Sequence, residues 1–233
     1  MDSSLATRLA LLLAATLATG TALAAGDTAG DIERVNGAIT ASAGTAYGRL
    51  ETVNGSITLE DGARTGPAET VNGGIRAGND IASGGLSTVN GSIRVGERAR
   101  VGGGIETVNG SVLVRRGGEV DGDVSTVNGA IGLIATVVAG DVETSSGDVT
   151  IGVDSHVRGA LRVHKPNANW MPIRVSTRRQ RIVIGPGAAV DGPLEFEREV
   201  VLYVHDTART GPVTGAETLR YSTPTAPPRG DSD

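Results

Sequence analysis

Apolar residues recur along this chain in a fixed frame. Leu50, Ala68, Leu86, Ile105, Val124, Val142 and Leu161 fill one column; Ile57, Ile75, Ile93, Val112, Ile131 and Val149 fill a second; Leu59, Ala77, Val95, Val114, Leu133 and Ile151 fill a third. The second and third columns lie two residues apart, the spacing that puts both side chains on one face of an extended strand. Helix is disfavoured, because Gly and Asn interrupt every candidate segment and β-branched residues dominate the rest. The pattern therefore predicts short strands, each with one buried face.

The polar positions set the period. VNGAI starts at Val35, TVNGSI at Thr52, TVNGGI at Thr70, TVNGSI at Thr88, TVNGSV at Thr107 and TVNGAI at Thr126. The asparagines fall at Asn36, Asn54, Asn72, Asn90, Asn109 and Asn128, spaced by 18, 18, 18, 19 and 19 residues. A seventh copy, TSSGDV from Thr144, keeps Gly147 and Val149 but carries Ser146 in place of Asn. Gly66, Gly84, Gly103, Gly122, Gly140 and Gly159 close successive repeats.

Two architectures fit such a repeat. In an all-β, single-stranded parallel β-helix, each repeat is one coil and equivalent residues stack at about 4.8 Å. In a chain of antiparallel hairpins, Asn-Gly supplies the turns. The secreted form of the latter, an outer-membrane barrel, needs aromatic girdles, and this chain is 2% aromatic. The β-solenoid of about 18–19 residues per coil is the expected fold, since stacking explains why the chemistry returns once per coil. Asn and Gly are assigned to corners through their tolerance of left-handed backbone angles. The stacked Asn amides are assigned a structural role, as a hydrogen-bonded ladder. Simple alternation cannot bury both Leu50 and Val53, so a bend is expected between them.

The flanks read differently. Residues 1–24 carry Arg8, an apolar run from Leu9 to Leu17 and a final Ala22-Leu23-Ala24, the order of a cleavable secretory signal. That run is too short and too interrupted to span a bilayer, so the mature chain is expected to have no transmembrane segment. Residues 25–30 form a linker, 31–216 the solenoid, and the Pro-rich stretch 217–233 a disordered tail. Within the solenoid, residues 165–181 depart from the repeat as an inserted loop. It holds the only Lys and the only Trp of the chain, with Lys165, Trp170, Arg174, Arg178, Arg179 and Arg181 as a candidate anion-binding group. Guanidinium groups grip phosphate or carboxylate in a forked geometry and stack against rings.

Composition narrows the function classes. The chain has 35 Gly and no Cys, so its core is aliphatic and it has no disulfide, thiolate metal site or cysteine nucleophile. A formal net charge of −5 argues against a nucleic-acid partner, whose binding rests on neutralising phosphates.

The TVNGSI repeats behind a signal segment resemble the bacterial adhesin-type β-solenoids of unknown function, and IGPGAAVDGPL resembles the coil motifs of bactofilin-type, polymer-forming solenoids. The similarity covers roughly residues 31 to 216. It implies a right-handed β-helix with a structural or cell-surface role and carries no catalytic residues over. The export signal departs from the bactofilin pattern and from a cytoskeletal role.

No constellation in the sequence carries chemistry strongly. His156, His164 and His205 match no metal-ligand spacing, and no G-x-S-x-G elbow occurs. No cofactor and no metal are expected. The column Glu51, Glu69, Ser87, Glu106, Ser125, Glu143 is an acidic stripe that, in an alternative reading, would serve a carbohydrate-active β-helix enzyme acting on acidic polysaccharide. Thr52, Thr70, Thr88, Thr107, Thr126 and Thr144 suggest a second alternative, an ice-binding face. The primary expectation is a non-enzymatic protein exported to the periplasm or cell surface of a bacterium. It would self-associate or bind an anionic envelope polymer or lipid headgroup.

Overall fold

The computed structural model describes residues 28–165 and 179–228. The signal segment and Trp170, Arg174 and Arg178 lie outside the described residues. Every strand and helix position in the described chain is β, and the strands pass through three sheets in strict rotation. Each sheet has ten strands, so the chain winds a β-solenoid of ten coils. One coil serves for all: Leu50–Asn54, then Ile57–Leu59, then Arg64–Thr65. We name the three sheets after these strands the TVN sheet, the Ile sheet and the short sheet.

All pairing is parallel and in register with the repeat. Leu50 lies beside Ala68 and Asn54 beside both Asn36 and Asn72, while Ile57 lies beside Ile39 and Ile75. The antiparallel hairpin arrangement is thereby excluded. Inside, Leu50, Ile57, Leu59 and Ala63 are all but inaccessible, and their equivalents continue the aliphatic lining coil after coil. Stacking identical β-branched and aliphatic side chains removes apolar area from water on both neighbours at once.

The expected bend between Leu50 and Val53 is absent. Leu50–Asn54 is one unbroken strand in which Leu50 and Thr52 point inward and Val53 points out, 36% exposed. A threonine can occupy the core because a carbonyl awaits its hydroxyl. Thr52 Oγ1 donates to Gly37 O at 3.1 Å, Thr70 to Gly55 at 2.8 Å, Thr88 to Gly73 at 2.8 Å, Thr107 to Gly91 at 3.0 Å and Thr126 to Gly110 at 3.0 Å. Each accepting glycine sits at the Asn-Gly corner one coil below, where no backbone N–H reaches its oxygen. Without the hydroxyl this part-buried carbonyl would be left unpaired.

The same corner explains the glycine, and positive φ is not the shared cause: Gly37, Gly129 and Gly147 have φ of 114°, 157° and 134°, but the glycines between them do not. At Gly55, Gly73, Gly91 and Gly110, φ lies outside the left-handed region, but a Cβ on Gly91 would come within 2.0 Å of Gly73 O. The carbonyl of each corner glycine thus lies against the Cα of the next, an approach only glycine permits. Left-handed angles in non-glycine residues belong to another corner, between the Ile and short sheets, at Asp80, Arg98, Ala135 and Asp154. Outside the glycine column the Asn amides form a ladder. Asn54 Nδ2 donates to Asn36 Oδ1 at 3.1 Å, Asn72 to Asn54 at 2.9 Å, Asn90 to Asn72 at 3.0 Å, Asn109 to Asn90 at 3.0 Å and Asn128 to Asn109 at 3.1 Å.

At the inserted segment the network is rebuilt with a different donor. Val163 takes the threonine position, and Gln180, resuming the coil after the insertion, donates from Nε2 to Gly147 O at 2.8 Å. Both ends of the solenoid reach further than the repeat suggested. Thr28–Ala29, within the expected linker, pairs with Ala46–Tyr47. Thr218–Tyr221, within the expected disordered tail, pairs with Val200–His205. Outside the last coils, Val183, Val201, Tyr203 and Tyr221 form a second apolar cluster against which Ala226 packs. Arg181 lies 5.3 Å over the Tyr203 ring and donates to Pro227 O at 2.6 Å, holding the chain end against the rod.

Two substitutions separate the clash from the missing donor. Gly91→Ala should cost on the order of 3 kcal/mol, because a backbone carbonyl, not a flexible side chain, meets the new methyl. Thr88→Val, which orphans Gly73 O while keeping shape, should cost roughly 1–3 kcal/mol, and Thr88→Ser should recover most of that loss. Urea unfolding of the three variants checks the order.

Candidate functional site

With the core closed to solvent and its threonines turned inward, any function must be carried by the outward columns and the insertion. On the TVN sheet, alternation places Glu33, Glu51, Glu69, Ser87, Glu106, Ser125 and Glu143 in one in-register row. Val35, Val53, Val71, Val89, Val108 and Val127 run parallel to it, with Val35 the most exposed at 68%. The Asn ladder borders them at the corner.

Partial burial pushes the Glu51 carboxyl above the ordinary glutamate range, and the neighbouring charges of Glu69 and Glu33 push it further, against an opposing pull from Arg49. Arg49 Nη1 stands 3.4 Å from Glu69 Oε1, a half-exposed pair. The row brings Glu51 beside Glu69, while Ser87 separates Glu69 from Glu106.

The row changes sign at Arg162, which the sequence reading passed over. Its register places it between Glu143 and Glu195. Its guanidinium donates to Glu143 Oε1 at 3.1 Å, to Glu195 Oε2 at 2.9 Å and to Asp141 Oδ2. Burial acts to lower the Arg162 pKa, but the hydrogen bonds it donates to Asp141, Glu195 and Glu143 outweigh it and raise it. His164 continues the cluster, 3.6 Å from Glu143 and 3.7 Å from Glu197. The Lys165 backbone N–H donates to Glu197 Oε2 at 2.9 Å and, with His164 beside it, draws that carboxyl below its ordinary range. This cluster ties the coils on either side of the insertion together. The signal for it was the switch from Glu to Arg in an otherwise acidic or neutral column.

Of the six residues of the candidate anion-binding loop, Lys165, Arg179 and Arg181 fall within the described residues. Arg181 is committed to Tyr203 and Pro227, and Arg179 Nε stands 3.3 Å from Glu199. Lys165 lies at the exposed exit of the chain from the solenoid. The Trp170, Arg174 and Arg178 positions fall outside the described residues.

The histidines do not converge. His156 Nε2 meets Asp191 Oδ2 at 2.7 Å on the short sheet, His164 sits in the Arg162 cluster, and buried His205 stacks edge-on to Tyr221 at 5.0 Å. Among the described residues, no group of three or more His, Cys, Asp or Glu is placed to hold a metal ion. The threonine column cannot face ice: Thr52, Thr70, Thr88, Thr107, Thr126 and Thr144 are at most 2% exposed. No helix in the described residues is long and apolar enough to cross a membrane. No family model, no curated protein and no solved structure matches the chain.

The raised Glu51 pKa fixes a sign. A carboxyl that holds its proton more tightly folded than unfolded costs stability when ionised, and that cost is relieved as pH falls through its folded pKa. Glu51→Gln should therefore melt higher than the parent at pH 7, with the difference fading towards about pH 4. Thermal melts across that range provide the check.

Proposed function

We propose that this chain is a non-enzymatic structural protein exported to the bacterial cell envelope, a stiff solenoid that displays repeated surfaces and holds an anionic envelope polymer or lipid headgroup through its basic insertion. The observation that carries the reading is the unbroken ten-coil parallel ladder, with the threonine, glycine and asparagine columns joining one coil to the next. Hydrogen bonds repeated every coil resist bending and local opening, as a scaffold requires. Export rests on the signal-like first 24 residues. The binding role rests on the density of Arg in 174–181 beside Trp170, on an otherwise acidic chain.

Cell fractionation tests the location: the full chain should reach the envelope, and a chain lacking residues 2–24 should stay in the cytoplasm. Co-sedimentation of the mature chain with an acidic polysaccharide, and separately with phosphatidylglycerol vesicles, tests the partner. Replacing Arg174, Arg178 and Arg179 with Ser should weaken binding on the order of 10- to 100-fold, at about 1 kcal/mol per cation near an anionic surface. Unchanged binding removes the insertion as the site.

A further inference from the structure

Over the first seven coils, charge is segregated between the outward rows of the two adjoining long sheets. The ten strands of the Ile sheet, from Ile39–Ala41 to Thr218–Tyr221, contain no carboxylate. Their outward row includes Arg76 and Arg94, adjacent in register, both exposed and neither with an ion-pair partner among the described residues. Arg115 and Arg116, at the corner that follows Val112–Val114, are also exposed. The TVN sheet shows the opposite sign, with Glu33 and Glu51 adjacent in register beside the exposed Val35 and Val53.

Two like charges held one strand spacing apart repel, and each pair is relieved by a partner carrying two opposite charges at that same spacing. Another copy of this chain supplies it. The pitch of both rows is set by the same coil rise of about 4.8 Å, so any number of coils stays commensurate when two rods lie alongside.

We propose that copies of this protein associate side by side, the Glu33 and Glu51 face of one rod seated on the Arg76 and Arg94 face of the next. Leu113, outward and half-buried next to Arg94 on the Ile sheet, lies in the same row and ends the run of cations there. The contact is heterologous: a pair of rods keeps one unused face of each sign, and association continues laterally instead of closing at a dimer. Single exposed ion pairs contribute little, so binding strength comes from several coils engaging together and falls steeply with salt.

This inference rests on the scaffold reading, and its test is independent of export and of polymer binding. Analytical ultracentrifugation of the mature chain should show concentration-dependent lateral oligomers at about 20 mM salt and monomers at about 500 mM, where the screening length falls to a few ångströms. Arg76→Ser with Arg94→Ser, and separately Glu33→Gln with Glu51→Gln, should each abolish self-association while leaving the circular dichroism of the fold intact and its melting temperature no lower than the parent's. Mixed together, the two variants retain one complementary face each, and they should form a 1:1 complex that grows no further. A parent chain that stays monomeric at low salt overturns the proposal. So does association that survives either pair of substitutions, which would place the contact at the coil ends or on another face.

Discussion

The structure depends on one close approach, the carbonyl of each Asn-Gly corner laid against the Cα of the glycine one coil above. No side chain fits between them, so the position must be glycine in each coil from Gly55 to Gly147. The same oxygen has no backbone donor, so the inward residue of the next coil, 15 or 16 positions later, must bring a hydroxyl. Once both are in place, the neighbouring asparagines are held at a distance where their amides meet. A slip of one residue would drive Thr52 outward, leave the corner carbonyls unpaired and expose the Leu50 column together. Register across all three sheets is thus locked by polar groups at one corner as firmly as by the aliphatic lining.

Where the repeat changes, the constraint is met by substitution of parts. Gln180 brings an amide to Gly147 O after the insertion has removed the threonine. Thr144 marks the transition: its hydroxyl is buried without a hydrogen-bond partner, in the coil where Ser146 also ends the amide ladder. The Arg162 cluster spans this weakened zone, binding carboxylates from the coils before and after it. The second apolar cluster, with Arg181 over Tyr203, then covers the outer side of the last coils. The rod is uniform over its first six coils and individually reinforced over its last four.

Such a construction leaves function to the exterior, because a core of stacked identical side chains offers no unique cavity in which reacting groups converge. What varies from face to face is charge. Carboxylates crowd on one long sheet and unpaired arginines stand on its neighbour, each row spaced by the coil rise. Long exposed sheet faces with such regular spacing suit partners that repeat at the same interval, whether a polymer or another rod.

The strand frame, the coil length and the stacking of equivalent residues were legible in the sequence, because the repeat forces each position to meet its own kind. The asparagine and glycine columns were legible as corners, but the reason for the glycine was not. Propensity suggests left-handed backbone, and Gly37, Gly129 and Gly147 do have positive φ, but what recurs from Gly55 to Gly147 is contact with a carbonyl one coil away, and that contact joins residues 18 or 19 positions apart. Whether Thr52 or Val53 faces inward also lay beyond pattern reading, since hydropathy favours burying the valine and only the position of Gly37 O reverses the choice. The Arg162 cluster, the strand at Thr218–Tyr221 and the opposition of charge between two sheets likewise depend on which surfaces the winding brings together. Sequence determined what each coil contains; the placement of one coil upon another determined which way its side chains turn and what they touch.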